Sequence, residues 1–190
     1  MPDLTHILPG YYRIRLPAAL SDSMHGRLVA FELNTVRLRD SEGAEGTGYT
    51  FTCGRNGSAI HALLSKDFPS LMLGQDADRI ELLWTKLWWG LHYGGRGGPT
   101  VLALSAFDMA LWDLKAKRLN QPLWKLLGGH NPRVSCYAGG IDLNLSLDGL
   151  LQQSDRVVKK GFHAIKMKVG RERLAEDVER IKAMREHLGE

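Results

Sequence analysis

The last third of the chain alternates between two kinds of segment, and that order restricts the fold more than anything else in the sequence. "PRVSCYAGG" (132–140) reads as a strand, and "SLDGLLQQSDRVVKKG" (146–161) as a helix with Ser146 at its N-cap. "HAIKMKVG" (163–170) is the next strand and "RLAEDVERIKAMREHLG" (173–189) the next helix. A strand–helix–strand–helix order implies parallel strands joined by crossover helices. Two parallel strands do not make a stable sheet alone, and a closed (β/α)8 barrel takes about 250 residues. Residues 131–190 supply only the first two βα units.

The chain before that point has a different character. Residues 4–16 and 27–39 read as strands, "SEGAEGTG" (41–48) as a glycine-rich connection and "YTFTCG" (49–54) as a third strand, together an antiparallel meander. Helical spacing then takes over. Ile60, Leu63, Leu64 and Phe68 share one face, and Leu83, Leu87 and Leu91 another, with Asp76 or Asp78 as the cap. Pro99 suits the first turn of "TVLALSAFDMALWDLKAKRLN" (100–120), and "PLWKLLGG" (122–129) stops on two glycines. The expected architecture is an α+β domain over 1–130, followed by two βα units over 131–190, the first units of a (β/α)-barrel left incomplete in this chain. Trp84, Trp88, Trp89, Trp112 and Trp124 are expected in the core, since large aromatics dominate cores. "GGRGG" (94–98) lacks the lysine and final glycine that a phosphate loop needs. It reads as a helix-entry loop, with Arg96 as an anchor.

The net charge is +4, but cations and acids are interspersed, unlike the clustered cations of a nucleic-acid surface. Cys53 and Cys136 stand far apart and outside any CxxC spacing, so neither a disulfide framework nor a zinc site is indicated. "MPDLTHILPGYYRIRLP" has no apolar core of the kind a secretory leader carries, and no apolar run is long enough to span a membrane. A reducing, cytoplasmic setting is the expectation.

Lys166 and Lys168 lie one residue apart, so on a strand they share a face and Met167 takes the other. In a barrel, active sites gather at the C-terminal ends of strands, and Lys168 is the nearer to that end. Two neighbouring ammonium groups, partly buried, disfavour each other's protonation. The lysine pKa can then fall from about 10.4 toward roughly 7–8, where the amine serves as a base. A surface edge strand with two solvated lysines would carry the same letters.

The pair has company. "SAFDMALWDLKAKRLNQPLWKLLGG" (105–129), then a strand, a helix and "AIKMKVG", resembles the mandelate racemase/muconate lactonizing enzyme group of the enolase superfamily. That superfamily uses a Lys or His base with magnesium stabilising an enediolate. The resemblance implies a lyase or isomerase in which Lys168 takes the proton α to a carboxylate and Lys166 tunes it and lies near that carboxylate. It implies two capping loops that set substrate choice, "ALSDSMHG" (19–26) and one near "GYTFT" (48–52). Ser21, Asp22, Ser23 and His25 offer hydrogen-bonding groups suited to a polyol acid, and Tyr49 and Tyr137 are candidates to line the pocket. The wording "SDSMHG…GYTFT…HYGGRGGP" looks most like the acid-sugar dehydratases of the group.

The resemblance also implies Mg2+, held by three carboxylates at the ends of the third, fourth and fifth barrel strands. Those positions would lie beyond residue 190, so no metal ligand is expected in this chain. Asp177 and Glu179 are expected on the solvated face of a charged helix. The expected reaction is dehydration of a sugar acid to a 2-keto-3-deoxy acid, by a homo-oligomer binding a small carboxylate substrate and neither nucleic acid nor membrane. This chain alone is expected to be inactive. A racemase or epimerase of the same superfamily, or a non-catalytic fragment or binding module, is the alternative.

Overall fold

The computed structural model describes residues 1–140 and 142–189, which divide into two compact units. The first unit comprises Met1–Arg15 and Ala30–Pro132. Its sheet is built on β1 (Leu4–Asp22), β2 (Gly26–Asp40) and β3 (Glu45–Thr52), in that order, with β2 and β3 antiparallel from Glu32↔Thr52 to Arg39↔Glu45. Strict alternation along β2 turns Ala30, Glu32, Asn34, Val36, Leu38 and Asp40 inward.

β3 begins inside the segment expected as a connection. Its glycines serve packing rather than a turn. A Cβ on Gly46 would stand 2.1 Å from the Ala110 carbonyl oxygen, and one on Gly48 1.9 Å from that of Ala106. Only glycine lets the helix α4 (Pro99–Arg118) approach the sheet so closely.

The remaining helices fill in around that contact. α1 (Gly57–Ala62) runs through a π-turn (Leu63–Asp67) into α2 (Phe68–Met72), and α3 (Ile80–Gly90) and α5 (Leu123–Leu126) complete the unit. Ile60, Leu64, Phe68, Leu83, Leu87, Phe107, Leu111 and Leu114 form the buried cluster with Val36 and Leu38. Neither Asp76 nor Asp78 caps α3, which starts one residue beyond Arg79. The Asp76 carboxylate instead accepts from the Asp78 backbone N–H at 3.0 Å, closing the turn before the helix.

Trp88 and Trp112 pack against the core as expected, whereas Trp84 and Trp89 depart from that expectation. Trp84 and Trp89 are 36% and 56% exposed. Trp84 stacks on Trp88 at 5.2 Å, and the Arg96 guanidinium lies 4.7 Å from the Trp89 ring centre and 5.4 Å from that of Trp88. The buried stripe of α3 is already filled by Ile80, Leu83 and Leu87. The rings therefore sit at its margin, and Arg96 covers them by cation–π contact.

One buried carboxylate ties this unit together. Glu32 accepts from Tyr11 Oη at 2.7 Å, Thr52 Oγ1 at 2.8 Å and the Gly57 N–H at 2.9 Å, joining all three strands to the start of α1. The Tyr11 hydroxyl above all, then Thr52, Gly57 and Arg13, holds the Glu32 carboxyl below the usual range against the opposing effect of burial. Glu32→Gln removes one acceptor among three donors and should cost about 1–3 kcal/mol at neutral pH. A group with a depressed folded pKa stabilises above its unfolded value, and that stability is lost as pH falls through the folded one. The gap between wild type and variant should therefore narrow below about pH 4. Denaturant midpoints at neutral and acid pH would show it; a gap independent of pH would contradict it.

The second unit comprises Leu16–Val29 and the described residues from Arg133 onward. β4 (Ala138–Gly139) and β5 (Ile165–Lys166) pair in parallel, Ala138↔Ile165 and Gly139↔Lys166, with α6 (Leu147–Lys159) as the crossover and α7 (Leu174–Leu188) following. Ser146 caps α6 as expected, its hydroxyl accepting from the Gly149 N–H at 3.2 Å. Both strands are far shorter than the sequence suggested. Past Lys166, the backbone N–H groups of Lys168, Gly170 and Arg171 go to carboxylates rather than to a ladder. No helix among the described residues is long and apolar enough to cross a membrane.

Candidate active site

Lys166 ends β5, exposed, and its carbonyl accepts from the Gly140 N–H at 2.8 Å. Lys168 lies two residues further on, half-buried and outside the strand. The alternation survives nonetheless. Ile165 and Met167 line an apolar groove with Ile181 and Met184 of α7, and neither lysine lines it. The lysine ammonium groups are thus left for the other side of the chain. Tyr137, just before β4, is 55% exposed, and the Lys166 Nζ lies 5.7 Å from its ring centre, within cation–π range.

The backbone beneath Lys168 is fixed by acids. The Asp142 Oδ1 accepts from the Lys168 N–H at 2.8 Å. Asp177 Oδ2 accepts from the Gly170 N–H at 2.8 Å and the Arg171 N–H at 3.1 Å. Asp177 was expected on a solvated face, yet it is only 7% exposed. It sits in the first turn of α7, and its carboxylate turns back onto the loop that carries the lysine. Glu179 is exposed as expected.

The segment expected as a 19–26 loop is mostly strand. Ser21 and Asp22 close β1, and a tight turn at Ser23–His25 leads into β2. The Asp22 Oδ1 takes the N–H groups of Met24 and His25 at 2.9 and 2.6 Å, and the carboxylate reaches the His25 Nδ1 at 2.9 Å. These bonds, the His25 backbone N–H first and its ring next, pull the Asp22 carboxyl down to about 2. An ionised carboxylate only accepts, so the His25 Nδ1 carries its proton and Nε2 points away from the pair. The turn lies beside the lysine loop. A Cβ on Gly170 would stand 2.7 Å from the Ser23 Cβ, and Gly170 has φ +115°.

The second unit therefore brings together Lys166 with Tyr137, Ser21 and Lys168 with Asp142, and Ser23 with Gly170. Tyr49 belongs to the first unit, on the exposed side of β3. Sequence reading missed Asp142 and the loop role of Asp177. The signal for Asp142 was an acid two residues after a strand segment that ends in two glycines, where a barrel strand delivers its functional residues. For Asp177 it was an acid in a first helical turn, where free N–H groups collect.

Known proteins resemble this chain along most of its length. Residues 13–128, more than half of the chain, match the model of the mandelate racemase/muconate lactonizing enzyme N-terminal domain. Residues 149–190 match that of the enolase C-terminal domain-like family. The 3,6-anhydro-alpha-L-galactonate cycloisomerase of Streptomyces coelicolor is 55% identical over 179 residues, which cover 94% of this chain and 50% of the relative. A racemase from Streptomyces coelicolor A3(2), solved with bound magnesium, superposes with a TM-score of 0.96 at 53% identity, covering 98% of this chain and 52% of that one. The L-talarate/galactarate dehydratase of Salmonella typhimurium, solved with Mg and L-lyxarohydroxamate, gives a TM-score of 0.92 at 34% identity over 98% of this chain and 49% of its own. The chain spans about half the length of the curated relatives it matches.

Proposed function

Because this chain belongs to the mandelate racemase/muconate lactonizing enzyme family, with an enolase-type capping domain and the start of a barrel, we propose that it supplies the base and a substrate-reading turn of a sugar-acid lyase. Lys168 removes the proton from the carbon next to the carboxylate, and Lys166 faces that carboxylate. The β-hydroxyl then leaves as water, giving a 2-keto-3-deoxy acid. The observation that carries the reading is the Lys166–Lys168 strand end lying beside the Asp22–His25 turn within one compact unit. His25, oriented by the ionised Asp22, offers its Nε2 to the polyol, with Ser21, Ser23 and Tyr137 nearby in the same unit.

The racemase and the L-talarate/galactarate dehydratase hold magnesium in their solved structures, and we assign the same ion to the working enzyme, where it would stabilise the negative charge left by proton removal. The described residues do not fit that ion by themselves: no group of three or more His, Cys, Asp and Glu side chains among them is placed to hold a metal. The carboxylates that hold it belong to the remainder of the barrel, in cis or on a second chain, and without them residues 1–190 carry no activity. Exposed apolar side chains on α7, Leu174 and Ile181 among them, support covering by further barrel elements or by self-association. The two free thiols, Cys53 and Cys136, suit a cytoplasmic setting.

A second reading is favoured by the cycloisomerase at 55% identity. A 3,6-anhydro bridge places its ring oxygen on carbon 3, β to the carboxylate. The same proton removal followed by C3–O cleavage would open that ring without loss of atoms. Product analysis in deuterated water separates the readings. Dehydration gives a keto acid lighter than its substrate by one water, with deuterium on carbon 3. Ring opening gives a keto acid isomeric with its substrate. Deuterium on carbon 2 with no keto product would mean racemisation or epimerisation, and would overturn both.

A further inference from the structure

We propose that Asp142 is the positioning residue for Lys168: it clamps the backbone of the base-bearing segment, and is itself held by Ser21 and Arg180. The proposal rests on Lys168 being the base. Asp142 is 1% exposed. Its backbone pairs with Ser21 in an isolated bridge, so it is tied to the β1–β2 turn. Its carbonyl accepts from the Arg180 Nη2 at 3.1 Å. Its Oδ1 takes the Lys168 N–H. The residue is fixed by others, and Lys168 is in turn fixed by it.

Two more features mark the arrangement as more than a loop contact. The Leu145 carbonyl, in the same loop as Asp142, accepts from Arg171 Nη2 and Arg180 Nη1, each at 2.8 Å. Arg171 thereby ties the loop after β4 to the loop after β5, and Arg180 ties it to α7. Burial and the neighbouring Arg171 lower the Arg180 pKa, while Asp142 and Asp177 raise it. Second, the Asp142 Oδ2, Asp177 Oδ1, Arg171 Nε and Arg180 Nε are all buried without a hydrogen-bond partner among the described residues. An ion cluster left partly unsatisfied costs stability that an apolar cluster would not. What that cost secures is the position of one segment, Lys168 to Arg171.

A lysine that must meet a carbon-bound proton within about 3–3.5 Å is sensitive to such anchoring, since a 1 Å misplacement costs on the order of 10²-fold. Asp142→Ala in the assembled, magnesium-loaded enzyme should slow α-proton removal by about 10²-fold with KM little changed. Asp142→Asn keeps an acceptor of the same shape and should recover most of that loss. In the same assembled enzyme, amide exchange at Lys168 should be slow in wild type and Asp142→Asn and fast in Asp142→Ala.

Should Asp142→Ala fail to fold, Gly140→Ala tests the same point, because its methyl would stand 2.0 Å from the Asp142 Oδ2 and displace the carboxylate. The expected result is again a lower rate with faster Lys168 amide exchange. A wild-type rate in Asp142→Ala or Gly140→Ala, or a loss that Asp142→Asn does not recover, would overturn the proposal while Lys168→Met still abolished the reaction. If Lys168→Met left the rate intact, the assignment of the base itself would fall, and this inference with it.

Discussion

Replacing Lys168 by methionine should slow removal of the proton α to the carboxylate by about 10²–10⁴-fold, the usual contribution of a positioned general base. Methionine has nearly the same length and no basic nitrogen, so the loop should survive. The bonds that hold that loop are made by backbone N–H groups of Lys168, Gly170 and Arg171 to Asp142 and Asp177, and the substitution leaves them in place. The loss should appear in kcat. Lys166→Met should act differently: Lys166 is exposed, near the Tyr137 ring, and its loss should raise KM for the carboxylate. Single-turnover kinetics on the two variants would separate the roles. Equal effects on kcat from both would contradict the division of labour.

Phe107→Ala should destabilise the capping unit by about 3–5 kcal/mol, the cost of emptying a buried aromatic site. Phe107 is fully buried on α4, and its ring meets that of Phe68 edge-on, with centroids 5.3 Å apart. The site has little freedom to collapse. α4 is held against β3 at Gly46 and Gly48 with no space for even a methyl group, so the helix cannot move inward to fill a void. At about 2–4 °C per kcal/mol for a chain of this size, the melting temperature should fall by roughly 6–20 °C. Phe51→Ala is the contrast, since Phe51 is 56% exposed and packs edge-on to Phe31. A loss below about 1 kcal/mol for Phe107→Ala would mean that α4 relaxes after all.

The elements with strong periodicity were legible in the sequence. Helical spacing placed Ile60, Leu64 and Phe68 on one buried face and Leu83 and Leu87 on another, and the β-branched run of β2 gave a true alternation. The parallel pairing of β4 and β5 followed from element order alone. Where one residue type serves two purposes, reading by type failed. Gly46 and Gly48 looked like turn residues, because composition does not say whether a glycine bends the chain or admits a helix. Trp84 and Trp89 looked like core, because hydropathy does not tell a buried stripe from its margin.

The extent of β5 was misread for a related reason. An apolar run with good strand propensity pairs only as far as it has a neighbour, and Asp142 and Asp177 take its N–H groups instead. In the candidate site, the KxK spacing made readable that Lys166 and Lys168 stand away from the groove lined by Ile165 and Met167. The Asp142 anchor was not, because it depends on which N–H a carboxylate meets in three dimensions. The Asp22–His25 pair lay between these cases: the residues were singled out as polar donors and acceptors, while the tight turn that orients them came only from the structure.

The assignment of Lys168 as the base that opens the reaction at carbon 2 is tested most directly with a sugar acid carrying deuterium at that carbon. The label is followed by mass spectrometry through turnover in ordinary water with the assembled, magnesium-loaded enzyme. The expected result is product without the label, formed more slowly than from the protiated acid, with both formation and label loss slowed by about 10²–10⁴-fold in Lys168→Met. Label loss undiminished in Lys168→Met, or product formed as fast from the labelled acid as from the protiated one, would contradict it.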